Sequence, residues 1–187
     1  MNRLLIAIFS AFFILVTPVY PDTLSDDEVT DALFMIEEEK LAHDVYLTFQ
    51  RKYRERVFVN IRDSERRHQD AMAGLVDRFG LLDPRLPGVG KFRDLSLQAL
   101  YDTLVARGMP NRVEAIKVGA LIEERDMRDI MLAIERTDKW PIRRVYSSLL
   151  AGSKNHLRAF VGRLERLGVT YEPEILSQAE YDAIIGG

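Results

Sequence analysis

Ser64-Glu65-Arg66-Arg67-His68 places a carboxylate and an imidazole three residues apart inside a regular apolar seam. Around it Phe58, Ile61, Glu65, His68, Met72, Leu75 or Val76, and Phe79 recur in steps of three and four, the spacing that keeps side chains on one helical face. Glu65 and His68 are therefore expected to point into a core. A buried carboxylate is costly unless it is paired, hydrogen-bonded or metal-bound. This pair needs partners from other helices.

The flanking sequence predicts those helices. Ser25-Asp26-Asp27-Glu28 offers an N-cap followed by acidic residues, which favours helix initiation. A first long helix is expected over about Asp26 to Arg54, its seam running through Ala32, Met35, Glu39, Ala42, Tyr46, Phe49 and Tyr53, with Phe34, Glu38, Leu41 and Val45 on the adjacent strip. The short break at Tyr53 to Arg56 implies that the second helix, about Val57 to Phe79, returns antiparallel. Pro84, Pro87, Gly88 and Gly90 then interrupt regular structure. A short helix over Leu95 to Arg107, capped by Asp94, is expected within this long crossover, which is long enough to return the chain to the other end of a bundle. A third long helix is expected from Pro110 or Arg112 to about Arg136, and a fourth from Pro141 to about Leu167 with Ser153 and His156 on its seam. The tail from Val169 to Gly187 reads as an apolar strap. No strand signal is present, so the fold class is all-α.

Composition narrows the chemistry. The chain has 187 residues, 47% of them hydrophobic and 29% charged, enough for one substantial core. There is no cysteine, which removes thiol nucleophiles, zinc-thiolate sites and iron–sulfur clusters. Met1 to Pro21 carries one basic residue, Arg3, before the apolar run Leu4 to Val16, and it reads as a secretory leader. The run is short for a membrane span, but the exit through Thr17 to Pro21 lacks an Ala-x-Ala, so an uncleaved anchor is the alternative. Residues 22–187 then form a single helical domain, exported to the periplasm, cell envelope or medium. With Arg3 set aside, 25 basic residues stand against 29 acidic ones, and no basic footprint for nucleic acid is present.

Each long helix brings metal-binding residue types to or beside its seam: Glu39, then Glu65 with His68, then Glu123 with Asp126 one turn on, then His156. Dinuclear carboxylate sites are built in helical bundles from such elements, with imidazoles completing the coordination. From the apolar arc alone, Glu38 competes with Glu39, and Glu124 remains an alternative to Glu123. Glu37 and Asp44 read as solvated, His43 as exposed or beside the ligands and not one of them, and Arg66, Arg67, Arg143 and Arg144 as solvated faces or counter-charges for the acidic cluster.

Glu39-Lys40-Leu41-Ala42-His43-Asp44-Val45-Tyr46 resembles the Glu-x-x-Ala-x-x-x-Tyr motif on the first helix of ferritins and rubrerythrins, and Glu65-x-x-His68 resembles their second-helix motif. From about Asp26 to Ile185 the chain is similar to a ferritin-like family catalogued only as a domain of unknown function. That likeness is carried by Glu37 to Ala42, Ser64 to His68, Leu100-Tyr101-Asp102 and Gly152 to Phe160. The resemblance implies a ferritin-like four-helix bundle with a long crossover between helices two and three, and it selects Glu39 over Glu38. It implies metal ligands Glu39, Glu65, His68, Glu123, Asp126 and His156, with Glu65 and Glu123 bridging two ions.

The implied cofactor is a pair of iron ions, with manganese or zinc as alternatives. The implied activity is ferroxidase- or peroxidase-like, with oxygen or peroxide as substrate, an external electron donor, and a homodimer as one option for assembly. One departure stands out: Ser153-x-x-His156 occupies the place of a Glu-x-x-His. Ser153 is expected to hydrogen-bond its own helix, leaving Asp126 to supply the missing carboxylate. The contrasting expectation is a non-catalytic metal-binding or structural bundle of the cell envelope.

Overall fold

A computed structural model describes residues 23–187; the leader read at Met1 to Pro21 lies outside the described residues. Six helices and no strands occur among them: α1 (Asp26–Tyr53), α2 (Arg56–Arg78), α3 (Leu95–Gly108), α4 (Arg112–Glu135), α5 (Trp140–Glu165) and α6 (Gln178–Ile185). Local chemistry sets their ends. Ser25 and Glu28 form a reciprocal capping box at α1, Asp94 caps α3 and Asn111 caps α4, each satisfying amide groups that the first helical turn leaves unpaired. Arg54 takes a left-handed conformation (φ 55°), which turns the chain from α1 into α2 within two residues.

The four long helices pack as a ring, α1 on α2, α2 on α5, α5 on α4 and α4 on α1, while α3 lies across α1 and α4. Tyr53 Oη near the end of α1 donates to Gly108 O, just before α4 begins, and Thr137, just after α4, donates to Glu28 at the start of α1. α1 and α4 are therefore antiparallel, and the crossover returns the chain so that α4 runs in the same direction as α2. Among the described residues no helix is long and apolar enough to cross a membrane.

The interior is layered. One apolar cluster is built on Met35, Ile36, Met72, Leu75, Ile130, Ile142 and Tyr146. A second contains Tyr46, Phe49, Phe58, Ile116 and Phe160. Between them each long helix contributes polar side chains at buried or nearly buried positions.

Two sequence expectations fail. Glu37 and Asp44 are 3% exposed rather than solvated, because the crossover folds back on them. Glu37 accepts hydrogen bonds from Arg93 N (2.7 Å) and Asp94 N (3.0 Å), and Asp44 accepts from Gly90 N (2.9 Å) and Lys40 Nζ (2.5 Å). The tail is also more ordered than a simple strap: Ser177 and Glu180 form a capping box that opens α6, and Tyr181 and Ile184 of that helix are buried.

Candidate metal centre

The polar layer is organised about Glu65, which is 2% exposed. Its two carboxylate oxygens face different imidazoles: Oε2 lies 2.9 Å from His68 Nδ1, and Oε1 lies 2.7 Å from His156 Nδ1. His68 Nδ1 is also 3.2 Å from Glu39 Oε2, and His156 Nδ1 is 3.3 Å from Glu123 Oε2. The two rings lie near each other at a tilt of 29°, with centroids 5.4 Å apart. Two groups result, Glu39–Glu65–His68 and Glu65–Glu123–His156, each with ligand atoms within 4.8 Å of one another. Glu65 belongs to both, whereas Glu123 belongs to one.

Several of these contacts are close without being hydrogen bonds. Glu39 Oε1, Glu65 Oε1, Asp126 Oδ1 and His156 Nδ1 are buried and have no hydrogen-bond partner, although Glu65 Oε1 and His156 Nδ1 are only 2.7 Å apart. Donor and acceptor are thus neighbours that do not aim at each other. Buried polar atoms are almost always satisfied, and a cluster of exceptions marks a place where something else satisfies them. Oxygen and imidazole nitrogen are also the donor types that divalent transition metals take.

Electrostatics agrees with the geometry. Burial alone would lower the pKa of His68, but Glu39 and Glu65 overcome it and hold the ring up at about 11. Burial likewise acts against the charge on His156, while Glu123 and Glu65 raise it to about 10. For Glu65 burial pushes upward, and the nearness of the His156 and His68 rings reverses it to well below the usual range. Asp126 is pushed up to about 8 by burial, then by the charges of Glu123 and Glu65. Burial raises Glu39 and Glu123 as well. Lys40 is the one buried Lys or Arg among the described residues, and Asp44 and Gly88 O hold it. The carboxylates thus have only the imidazoles to balance them.

Surrounding residues fix the ligand candidates. Tyr46 Oη, buried in the apolar cluster, donates to Glu123 Oε1 at 2.6 Å. Ser153 Oγ bonds Leu149 O at 3.0 Å within its own helix and also contacts Asp126 Oδ2. Asp126 therefore sits in the layer, buried and tied to the residue that replaces the expected glutamate, but in neither group. Glu38 is buried with both oxygens unpartnered and lies outside the two groups. Glu124 is not at the centre: it accepts from Tyr171 Oη and from Ile175 N and Leu176 N. His43 Nδ1 contacts Asp44 Oδ1 at 2.9 Å and faces the crossover. The contribution of Gly152 was not foreseen. A Cβ there would lie 2.5 Å from His68 Nε2, so the bare backbone of α5 is what leaves room for that ring.

A family model described as "Uncharacterized protein domain (DUF2202)" matches residues 28–187. The chain is similar to "Uncharacterized protein MJ0754" of Methanocaldococcus jannaschii, with 41% identity over 163 residues, 87% of this chain and 88% of that protein. It is also similar to the structure described as "Crystal structure of hypothetical protein MJ0754 from Methanococcus jannaschii DSM 2661". That likeness has a TM-score of 0.87 at 39% identity and covers 91% of this chain and 98% of that one.

Proposed function

The chain belongs to the DUF2202 family, and for this member we propose a ferritin-like protein that holds two divalent metal ions, iron foremost, and uses them in iron oxidation or in reduction of oxygen or peroxide. The observation that carries this reading is Glu65, whose two oxygens each face a different imidazole, with unpartnered buried ligand atoms on either side. Glu39, Glu65 and His68 would hold one ion, and Glu65, Glu123 and His156 the other. Asp126 stands beside them with Oδ1 free. Four carboxylates carry the charge that two dications neutralise, which explains why no lysine or arginine enters the layer.

Iron bound in such a centre supplies the one-electron steps that oxygen and peroxide chemistry needs. The protein's own part is positional and protic. Tyr46 fixes the orientation of Glu123 through its 2.6 Å hydrogen bond, and Ser153 holds Asp126. His68 and His156 give up the protons that their carboxylate neighbours favour when the rings become ligands. The apolar clusters on both sides limit water. Electrons come from ferrous iron or an external donor, because the chain has no cysteine to bind a redox cluster. With Leu4 to Val16 taken as a secretory leader, the protein acts in the cell envelope.

The test is anaerobic loading of chelator-treated protein with ferrous iron, followed by elemental analysis and exposure to oxygen. The expected stoichiometry is about two ions per chain, with an absorption band of an oxo-bridged diferric centre after oxidation and loss of one position in His68→Ala. Wild-type protein that retains no metal would refute the reading. Ser153, engaged with Asp126 where a glutamate ligand was expected, favours a second reading: a metal-binding or structural module without turnover. Metal that binds but does not change oxidation state with oxygen or peroxide would select it.

Gly152 provides an independent check. Gly152→Ala drives a methyl group into the His68 ring, whose Nε2 and Cε1 would lie 2.5 and 2.6 Å away. Alanine is otherwise favoured over glycine in a helix by up to about 1 kcal/mol. The expected result is an affinity loss of about tenfold or more, the scale of disturbing a residue that orients a ligand, read by competition with a chromophoric chelator. Unchanged affinity would show that His68 is not held where the centre requires it.

A further inference from the structure

One buried carboxylate near the centre has no task in either ligand group. Glu38 is 2% exposed, and neither of its oxygens has a hydrogen-bond partner. It lies on α1, which packs against α4, and the charges that act on it most strongly are Asp126 and then Asp129 of α4. Asp126 contributes a third unpartnered oxygen, Oδ1. Asp129 is half-buried and so meets solvent.

Glu123, Asp126 and Asp129 follow one another in steps of three, which keeps them along one face of α4. The order is physical as well as sequential. Asp129 stands at the boundary with water, Glu38 and Asp126 are buried behind it, and Glu123 is a member of the Glu65–Glu123–His156 group. A buried carboxylate without a partner is costly to ionise, and packing such groups together raises the cost. A sequence selected only for stability would place an apolar residue at position 38.

We propose that Asp129, Glu38 and Asp126 form the inlet through which divalent cations reach the buried centre, with Glu38 as the transfer residue between solvent and the ligand groups. The inference rests on the metal-binding reading above and adds a route to it. Three features fit passage rather than retention. The three carboxylates do not come together as a compact ligand cluster, none of them brings an imidazole, and one end is open to water. A line of carboxylates in a low-dielectric wall concentrates cations and speeds their capture, typically by 10- to 1,000-fold.

The experiment is stopped-flow uptake of cobalt(II) by the full chain after chelator treatment, followed through its ligand-field absorption, with stoichiometry read at the end point. Glu38→Gln keeps the shape of the side chain and removes its charge. Uptake should slow by about tenfold while the final number of ions stays at the wild-type value. Asp129→Asn, at the half-exposed mouth, should slow uptake by a smaller factor and weaken its dependence on salt. Wild-type protein that takes up no cobalt(II) defeats the metal-binding reading itself. Wild-type protein that loads, with both variants loading at its rate, defeats the inlet alone. Loss of an ion at the end point in Glu38→Gln also overturns the inlet, because Glu38 would then be a ligand. Thermal unfolding of the chelator-treated variants separates a folding defect from slow uptake, and the half-exposed Asp129 site keeps the test available if Glu38→Gln is unstable.

Discussion

Glu65→Gln is expected to abolish high-affinity metal binding at both positions, whereas His68→Ala and His156→Ala each abolish one. The asymmetry follows from placement. Glu65 Oε2 faces His68 and Glu65 Oε1 faces His156, so a single side chain serves both groups, while each imidazole serves one. Gln keeps the volume but offers one oxygen without charge, and the amide nitrogen cannot act as a ligand in its place. Each position should lose at least about 100-fold in affinity, beyond the range seen when only an outer partner is removed. Isothermal titration with cobalt(II) or anaerobic ferrous iron reads stoichiometry and affinity together. Retention of two tight sites in Glu65→Gln would show that the carboxylate between the imidazoles is a pairing device and not a shared ligand. The metal-free fold should also weaken, because removing one partner from a buried charged cluster strands the others.

The helices and the seam positions of this centre were legible in the sequence because their determinants are local. Ser25 and Asp94 announce helix starts through their own side chains. Steps of three and four placed Met35, Glu39, Ala42 and Tyr46 on one face of α1, and Phe58, Ile61, Glu65 and Met72 on one face of α2, where they are buried. Ser153 does bond its own helix, as read, but its contact with Asp126 joins residues 27 apart, which periodicity cannot see. Glu37 and Asp44 were misread for the same reason. The amides they satisfy, Arg93 N and Gly90 N, come from a crossover 56 and 46 residues downstream, and no pattern around either residue announces that loop. The apolar tail was legible as a strap, and Tyr181 and Ile184 are buried in it, but the eight residues of α6 give too few turns for a periodic signal to announce the helix itself.

The adjacent pair Glu123 and Glu124 illustrates how neighbouring buried glutamates divide their work, and it yields the second large effect. Glu124→Ala should cost the protein roughly 3–5 kcal/mol of stability while leaving the metal centre able to fill; Glu123→Ala should empty one metal position. Glu124 is fully buried, and its oxygens accept from Tyr171 Oη at 2.5 Å, from Ile175 N and Leu176 N at 2.8 Å each, and from Glu174 N at 3.1 Å. Three consecutive amides of the tail thus depend on one carboxylate, much as helix N-termini depend on a cap. Truncation leaves the amide of Leu176 buried without an acceptor and frees the segment that docks Tyr171, Leu176, Tyr181 and Ile184 onto the core. Glu124→Gln, which keeps one acceptor oxygen, should lose less than Glu124→Ala. Urea unfolding of the chelator-treated proteins gives the stability difference, and cobalt(II) titration of the folded variants gives the occupancy. A loss below about 1 kcal/mol in Glu124→Ala would mean that the tail is held by its apolar contacts alone. Loss of an ion in that variant would place Glu124 among the ligands, against the four hydrogen bonds that turn it toward the tail.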